Sequence, residues 1–339
     1  MPTIKDVAKH ANVSVATVSR VLSNTGSVTE KNKQIVLKAV KELNYKPNAL
    51  GRYLRTAHTN TILVVVPDLA NPFFSNILKG IQTLANEKDY EVLIMDAEQT
   101  NFDNVKCFNM LQQKQVDGLI MLTSRVDRDV LLDMCENHNI VLACEYFEDA
   151  TIPTVSIDNI SAARKITEHL IHLNYKNVAH ITGPMNTVLG IDRLRGFKQA
   201  LQSNSLPIKT SYIQEGDFNI ESGYNIMYKL LSMEARPDAV FAANDEMAMG
   251  AIKAAETLRV KVPEDVAVVG FDDIKMASMF TPQLTTISQP AFKIGQKSMS
   301  LLLDLLNKEP LTQFQYVLED TLVVRESCGH YLSKRQQTT

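Results

Sequence analysis

Cysteine is scarce, and what there is cannot cooperate. Cys107, Cys135, Cys144 and Cys328 are scattered with no C-x-x-C pair, which argues against a zinc site or a disulfide framework and for ordinary buried thiols in a reducing compartment. Long hydrophobic runs are absent too. The longest, ILVVVP from Ile62, falls far short of the roughly 20 residues that span a bilayer and reads as a buried strand. The amino terminus has an amphipathic helical pattern rather than a charged stub followed by an apolar core, so no secretory signal is read and the chain is expected to be soluble and cytoplasmic. No G-x-G-x-x-G follows the first strand, which leaves dinucleotide binding with little support. No P-loop, metal cluster or serine-histidine-acid spacing is evident among the seven histidines, His10, His58, His138, His169, His172, His180 and His330. His169 and His172, three apart on an expected helix, are a weak metal signal and are better read as surface or packing residues. No cofactor, no metal and no enzymatic activity are expected.

What is there begins with charge. Residues 1–60 carry ten Lys and Arg against three acids, whereas the rest of the chain carries 25 basic residues against 35 acidic ones. A basic head on an acidic body suits a molecule whose head alone seeks phosphate. The head also carries a helix-turn-helix. In TIKDVAKHANVSVATVSRVL, from Thr3 to Leu22, Thr3 can cap a first helix and Asp6 stands at the capping-box spacing. Ile4, Val7, Ala8 and Ala11 fall on one face. Asn12 and Val13 break the helix, and Ser14 can cap a second one. Val18, Val21 and Leu22 of that helix turn inward, leaving Val15, Ala16, Thr17, Ser19 and Arg20 outside. A helix with small and hydroxyl residues at its start and an arginine one turn on suits the major groove of duplex DNA. A third helix is expected from Thr29 to about Asn44, with Ile35, Val36, Ala39, Val40 and Leu43 packing on the first two. Pro47 ends it. Asn48 can cap a short segment through Arg55, which is too short to be stable alone and is weakened further by Gly51.

From Thr61 apolar strands alternate with helices: 61–68, 90–97, 117–122, 140–145, 154–158, 177–183, 211–216, 239–245 and 266–273 read as strands. Unbroken apolar strands between helices mean parallel sheets covered on both faces. VDGLIMLTS at 116–124 and PDAVFAAND at 237–245 occupy equivalent places, so two similar α/β lobes are expected. Ligands of such sheets sit at the carboxyl ends of the strands, which brings Asp68, residues 71–75, Ser124, Asn244, Asp245 and Asp272 towards one cleft.

The order of parts, together with YKPNALGRYLRT, NPFFSNILKGI, SIDN, RLRGF, FAANDEMAMGAIKAA, VPEDVAVVGFDD and LTTISQP, resembles the LacI/GalR family of bacterial repressors over residues 3–328. Within the family, VVVPDLANPFFSNILKGI, KQVDGLIMLTSR, PTVSIDN and SQPAFKIGQKSMSLLLD look most like the cytidine repressor branch. The resemblance implies an all-α helix-turn-helix head (1–46), a hinge helix and linker (47–60), and a two-lobed α/β body like the periplasmic binding proteins (61–328), followed by a polar tail (329–339). The first lobe would comprise about 61–160 plus 291–322 and the second about 161–290. The body would bind a small-molecule effector and form a homodimer. No leucine heptad follows Cys328 that would suggest a tetramer.

Residue by residue, the resemblance implies DNA contacts from Thr3, Ser14, Val15, Ala16, Thr17, Ser19, Arg20, Asn48, Arg52 and Leu54. Val15 and Ala16 can meet thymine methyls. Thr17 and Arg20 can bond base edges, and Ser14 and Ser19 fit phosphates. Arg20 could also serve a phosphate. Leu54 aligns with a leucine that wedges into the minor groove and bends the duplex, though an ordinary amphipathic contact is the alternative. For the effector, the resemblance implies Phe73, Phe74, Ser124, Arg193, Phe218, Asn244 and Asp272. The phenylalanines could sandwich a base while Arg193 and Asp272 grip sugar hydroxyls, but Phe73 and Phe74 could equally pack the core. Asp245 could cap its helix instead of meeting a ligand. The stretch Thr187–Asp192 lacks the polar residues that purine-binding members carry there, so a nucleoside such as cytidine, or alternatively a sugar, is expected rather than a purine. A free solute-binding protein would leave the basic head unexplained.

Overall fold

The computed structural model describes residues 2–22, 26–45, 58–97, 104–148 and 151–331. The chain divides into two compact units, Met1–Thr59 and Asn60–Thr339. The first holds α1 (Ile4–His10), α2 (Val15–Leu22) and α3 (Glu30–Glu42). Val7, Ala8 and Ala11 of the first helix meet Val18 and Val21 of the second and Val36 and Ala39 of the third in one small core. Ile35 does not join them and is 38 % exposed. Val36, Ala39, Val40 and Leu43 already supply the i, i+3, i+4, i+7 stripe, and two short helices cover no wider face. His10 on α1 reaches Glu42 on α3 at 2.7 Å. That hydrogen bond holds the Glu42 carboxyl below its usual range.

In the second unit, β1 (Thr61–Val66), β2 (Glu91–Asp96), β3 (Gly118–Met121), β4 (Ile140–Ala143) and β5 (Thr154–Ile157) alternate with α4 (Pro72–Glu87), α5 (Asn104–Gln112) and α6 (Arg128–Asn137). The strands are parallel, in the order β2-β1-β3-β4-β5. Their period of two divides the core. Ile62, Val64 and Val66 face α4, and Leu63 and Val65 join Cys107, Phe108 and Leu131 of α5 and α6. The chain then builds a second parallel sheet, β7-β6-β8-β9, from β6 (Val178–Thr182), β7 (Ile213–Glu215), β8 (Ala239–Ala242) and β9 (Ala267–Val269). Around it lie α7 (Asn159–His172), α8 (Val188–Ser203), α9 (Ile220–Leu231) and α10 (Asp245–Thr257). Strands β3 and β8, from the two matching sequence stretches, hold the same place in their sheets.

After β10 (Thr286–Ser288) the chain returns to the first lobe as α11 (Ala291–Leu306) and β11 (Gln315–Leu318), which pairs with β5. It crosses again as β12 (Thr321–Val323), antiparallel to β10, and Ser327 accepts from the Val268 amide in the second lobe. Three segments therefore connect the lobes. Among the described residues no helix is long and apolar enough to cross a membrane.

The return helix packs tightly because glycine stands on both sides of its contact with α4. A Cβ on Gly80 would lie 2.1 Å from the Phe292 carbonyl oxygen, and one on Gly295 would lie 2.0 Å from that of Ile77. Alanine at either position gains at most about 1 kcal/mol of helix propensity, whereas forcing helices apart in a packed core costs about 1–3 kcal/mol. Gly295→Ala is therefore expected to lower the urea midpoint without changing its slope. A midpoint at or above that of the wild type would show that the two helices separate freely.

Candidate ligand pocket and DNA-reading helix

A cavity of about 140 Å3 opens where the carboxyl ends of both sheets face each other. A buried water needs about 10–15 Å3, so this space suits a small organic molecule. In each sheet the cavity adjoins the point where strand order reverses, between β1 and β3 and between β6 and β8, where open α/β sheets take ligands.

The first lobe contributes Pro67, Asp68 and Asn71 after β1, Phe73 and Phe74 on α4, Arg125 after β3, and Cys144 and Glu145 after β4. The Asn71 side chain accepts from the Phe73 amide at 2.9 Å, and Pro72 occupies the first helical turn, where its missing N–H costs nothing. This cap holds the two phenylalanines edge to face, ring centroids 5.3 Å apart. Phe73 does both jobs the sequence left open: it joins the core and lines the cavity. Ser124 is not in the lining. Its amide and hydroxyl donate to Glu145 Oε2 at 2.6 and 2.7 Å, fixing a carboxyl group that burial pushes above its usual range, against the pull of these hydrogen bonds and of Arg125 and Arg193.

The second lobe contributes Leu189 and Arg193 on α8, Asp217, Phe218 and Asn219 before α9, Asn244 after β8 and Asp272 after β9. Phe218 has φ +71°, and its ring lies over Gly183, where a Cβ would meet it at 2.1 Å. Asn244 Nδ2 donates to the Phe218 carbonyl at 2.7 Å, while its oxygen caps α10 by accepting from the Met247 amide. Asp245 is therefore not the cap. It is fully buried, accepting from Thr286 Oγ1 at 2.6 Å and the Ile274 amide at 2.8 Å, and it does not line the cavity.

Arg193 is 3 % exposed. Its Nε donates to Asn159 Oδ1 at 3.1 Å and a terminal nitrogen donates to the Ala243 carbonyl. The guanidinium lies over the Phe271 ring, 3.8 Å from its centroid. Behind Phe271 stand Phe241, His180 and Phe197 in succession. His180 is fully buried among these rings, and burial pushes its imidazole down to about 3. Its Nδ1 meets the Phe241 carbonyl at 2.8 Å, so it stays neutral and packs the column. Arg193 also stands 3.7 Å from Asp272, beyond hydrogen-bond range. Gln289, on the crossover before α11, donates to Asp272 Oδ1 at 2.7 Å. Burial pushes the Asp272 carboxyl up to about 6, opposed by Arg193 and Gln289. The sequence reading missed Arg125, Glu145 and Gln289 as lining residues. Their signal was position, since Glu145 ends the IVLACE strand as Asp272 follows the VAVVGF strand.

In the head, Thr3 forms a capping box with Asp6: the Thr3 amide donates to the Asp6 carboxylate at 2.7 Å, and Thr3 Oγ1 accepts from the Asp6 amide at 3.4 Å. The bond from the Thr3 amide, and then the one that the Thr3 hydroxyl donates to the same carboxylate at 2.7 Å, hold Asp6 below its usual range. Ser14 Oγ accepts from the Thr17 amide at 3.1 Å and meets its hydroxyl at 2.9 Å. Val15, Ala16 and Arg20 are exposed on the outer face of α2, and Thr17 and Ser19 are half-buried. Asn48, Arg52 and Leu54 lie outside the described residues. Among the described residues, no group of three or more histidines, cysteines or acids is arranged to hold a metal ion; His169 Nε2 meets Cys328 Sγ at 3.4 Å.

Comparison with known proteins matches residues 3–48 to bacterial regulatory proteins of the lacI family and residues 59–325 to periplasmic binding proteins and the sugar binding domain of the LacI family. This chain belongs to the LacI family. It is 38% identical over 328 residues to the HTH-type transcriptional repressor CytR of Escherichia coli, covering 96% of each chain. It is 36% identical to the ribose operon repressor of Halalkalibacterium halodurans, covering 96% and 97%. The lac repressor dimer bound to operator and the anti-inducer ONPF superposes with a TM-score of 0.87 at 29% identity, covering 96% of this chain and 99% of that one. The family is one of DNA-binding regulators, not enzymes, and this member combines a helix-turn-helix head with a small-molecule-binding body that modulates operator affinity.

The raised Asp272 carboxyl makes stability depend on pH with a definite sign. Between about 4 and 6 the folded chain holds a proton that the unfolded chain has released, so stability falls as pH rises through that window. A shift of about two pH units is worth about 2–3 kcal/mol. The unfolding free energy of wild type minus that of Asp272→Asn is expected to fall by that amount between pH 4 and 6.5. A flat difference would return Asp272 to ordinary acidity.

Proposed function

We propose that this regulator is a cytoplasmic, homodimeric repressor whose effector is a nucleoside of the cytidine type. The observation that carries the reading is the division of one cavity into aromatic and ionic parts: Phe73, Phe74 and Phe218 offer ring faces, and Arg193 and Asp272 offer a guanidinium beside a carboxyl group. Ring faces stack a base, and the ionic pair suits vicinal sugar hydroxyls. Asn244 orients Phe218 from behind, and Ser124 acts through Glu145. The likeness to CytR supports this reading, as does the apolar character of Val188, Leu189 and Ile191 in the first turn of α8.

A second reading, a sugar effector, draws on the ribose operon repressor and on the family's sugar binding domain. Titration calorimetry with cytidine, ribose and glucose separates them. Cytidine is expected to bind and the two sugars to give no heat; ribose or glucose binding without cytidine would establish the second reading.

At the DNA, Arg20 is assigned to a guanine edge, Val15 and Ala16 to thymine methyls, Thr17 to a base edge, and Ser14 and Ser19 to phosphates. Thr3, Asn48 and Arg52 would hold the backbone, and Leu54 would wedge the minor groove between two half-sites of a pseudo-palindrome. Effector and operator are then coupled by about 1–3 kcal/mol, reciprocally. Arg20→Ala is expected to cost about 1–3 kcal/mol on the operator and much less on random duplex. Equal weakening on both in a gel-shift assay would assign Arg20 to phosphate.

A further inference from the structure

Glu145 lines the cavity as a buried acid, and the effector reading gives it no direct contact with the ligand. It is 4 % exposed, and only one of its oxygens is held. Ser124 gives both its amide and its hydroxyl to Oε2, while among the described residues Oε1 has no hydrogen-bond partner. The carboxyl group follows β4 in the first lobe, the lobe that carries the Phe73 and Phe74 rings. Arg193 and Asp272 belong to the other wall. An oxygen held in place through its twin, in a cavity that also offers ring faces, can take a hydrogen bond from the edge of a stacked ring.

We propose that Glu145 Oε1 accepts a hydrogen bond from an exocyclic amine on the effector's base, so that the pocket selects an amino-pyrimidine nucleoside over its oxo counterpart. The proposal rests on the nucleoside reading above. The chemistry discriminates because cytosine presents an N–H donor where uracil presents a carbonyl. With Glu145 ionised, its oxygen facing a carbonyl leaves two buried acceptors unpaired, and a site built around a donor rejects the analogue that lacks it far more strongly than an apolar pocket rejects a missing methylene. Ser124 cannot turn Glu145 away to relieve the conflict, since its two bonds hold the carboxyl group in place.

The test is titration calorimetry on the full-length protein with cytidine, uridine and ribose, on wild type and on Glu145→Gln. Wild type is expected to bind cytidine about 100-fold or more tighter than uridine. E145Q, whose amide can donate to a carbonyl, is expected to narrow that ratio at least about 10-fold by gaining uridine affinity. The ratio is the readout, because a merely structural role for Glu145 would weaken both nucleosides alike. Equal binding of the two by wild type overturns the proposal while leaving the nucleoside reading standing. So does an E145Q ratio equal to that of wild type, or an equal loss on both ligands. Ribose binding with no nucleoside binding overturns both, and is told apart by the silent cytidine trace. If E145Q does not fold, the wild-type cytidine-to-uridine ratio still decides, and Ser124→Ala, which frees Glu145 to turn, is expected to narrow it.

Discussion

A guanidinium buried away from water governs the ligand-facing end of the second lobe. An ion of that size loses several kcal/mol of hydration on burial, and geometry must return it. Arg193 recovers the cost from four directions. Asn159 accepts at the start of α7, the Ala243 carbonyl accepts at the end of β8, Phe271 offers its face after β9, and Asp272 supplies the opposite charge nearby. One side chain on α8 thereby fixes the ends of two strands and a second helix, and the three rings behind Phe271 keep its platform from shifting. Arg193 and Asp272 do not meet within hydrogen-bond distance, so the pair retains unspent bonding capacity at the cavity wall. Substituting lysine would remove the planar fork that makes the two accepted bonds possible.

The same cluster reaches the parts of the chain that join the lobes. Gln289 stands on the crossover into α11 and donates to Asp272. Tyr146, one residue past Glu145 in the first lobe, donates to Asp192 on α8 at 2.6 Å, next to Arg193. A molecule held by Glu145 on one side and by Arg193 and Asp272 on the other would touch the neighbours of both connections. Coupling of this kind needs differential contacts in two states, and here the groups that would make them are adjacent to the groups that would hold the ligand.

How far the sequence disclosed this depends on whether local or distant chemistry decides. Caps and periodicity are local, so the Thr3–Asp6 box, the apolar stripes of α1 and α2, and the strands and helices of the body as far as β9 were legible, whereas α11 and β10, β11 and β12 of the crossovers were not. The 38 % exposure of Ile35 was not, because propensity does not say how wide a face two short partners can cover. Phe73, Arg193, Phe218, Asn244 and Asp272 came together as expected because strand ends in parallel sheets converge whatever their sequence separation. The carboxyl clamp between Ser124 and Glu145 spans 21 residues and lies in no motif. Asp245 neither caps its helix nor lines the cavity, and Asn244 does both, for a similar reason. Only the long-range partners Thr286 and Ile274 show why the aspartate turns inward and leaves capping to its neighbour.

Three residues at the cavity wall also carry unfavourable backbone conformations. Cys144, Phe218 and Asp272, all lining the cavity, have φ of +69°, +71° and +115°. Side chains other than glycine's pay for that region of conformational space, and such residues persist only where the surroundings over-determine them. For Phe218 the surroundings are identifiable: Asn244 holds its carbonyl and Gly183 leaves room for its ring. For Asp272 they are the amide donated to the Ile287 carbonyl and the side-chain bond from Gln289, both from the segment that leads out of the lobe. A glycine at 272 would relieve the backbone yet remove the carboxylate that stands 3.7 Å from the Arg193 guanidinium. The strain is thus tied to a charge that the buried arginine requires, which explains why a residue so ill-suited to its conformation stands where the ligand is expected.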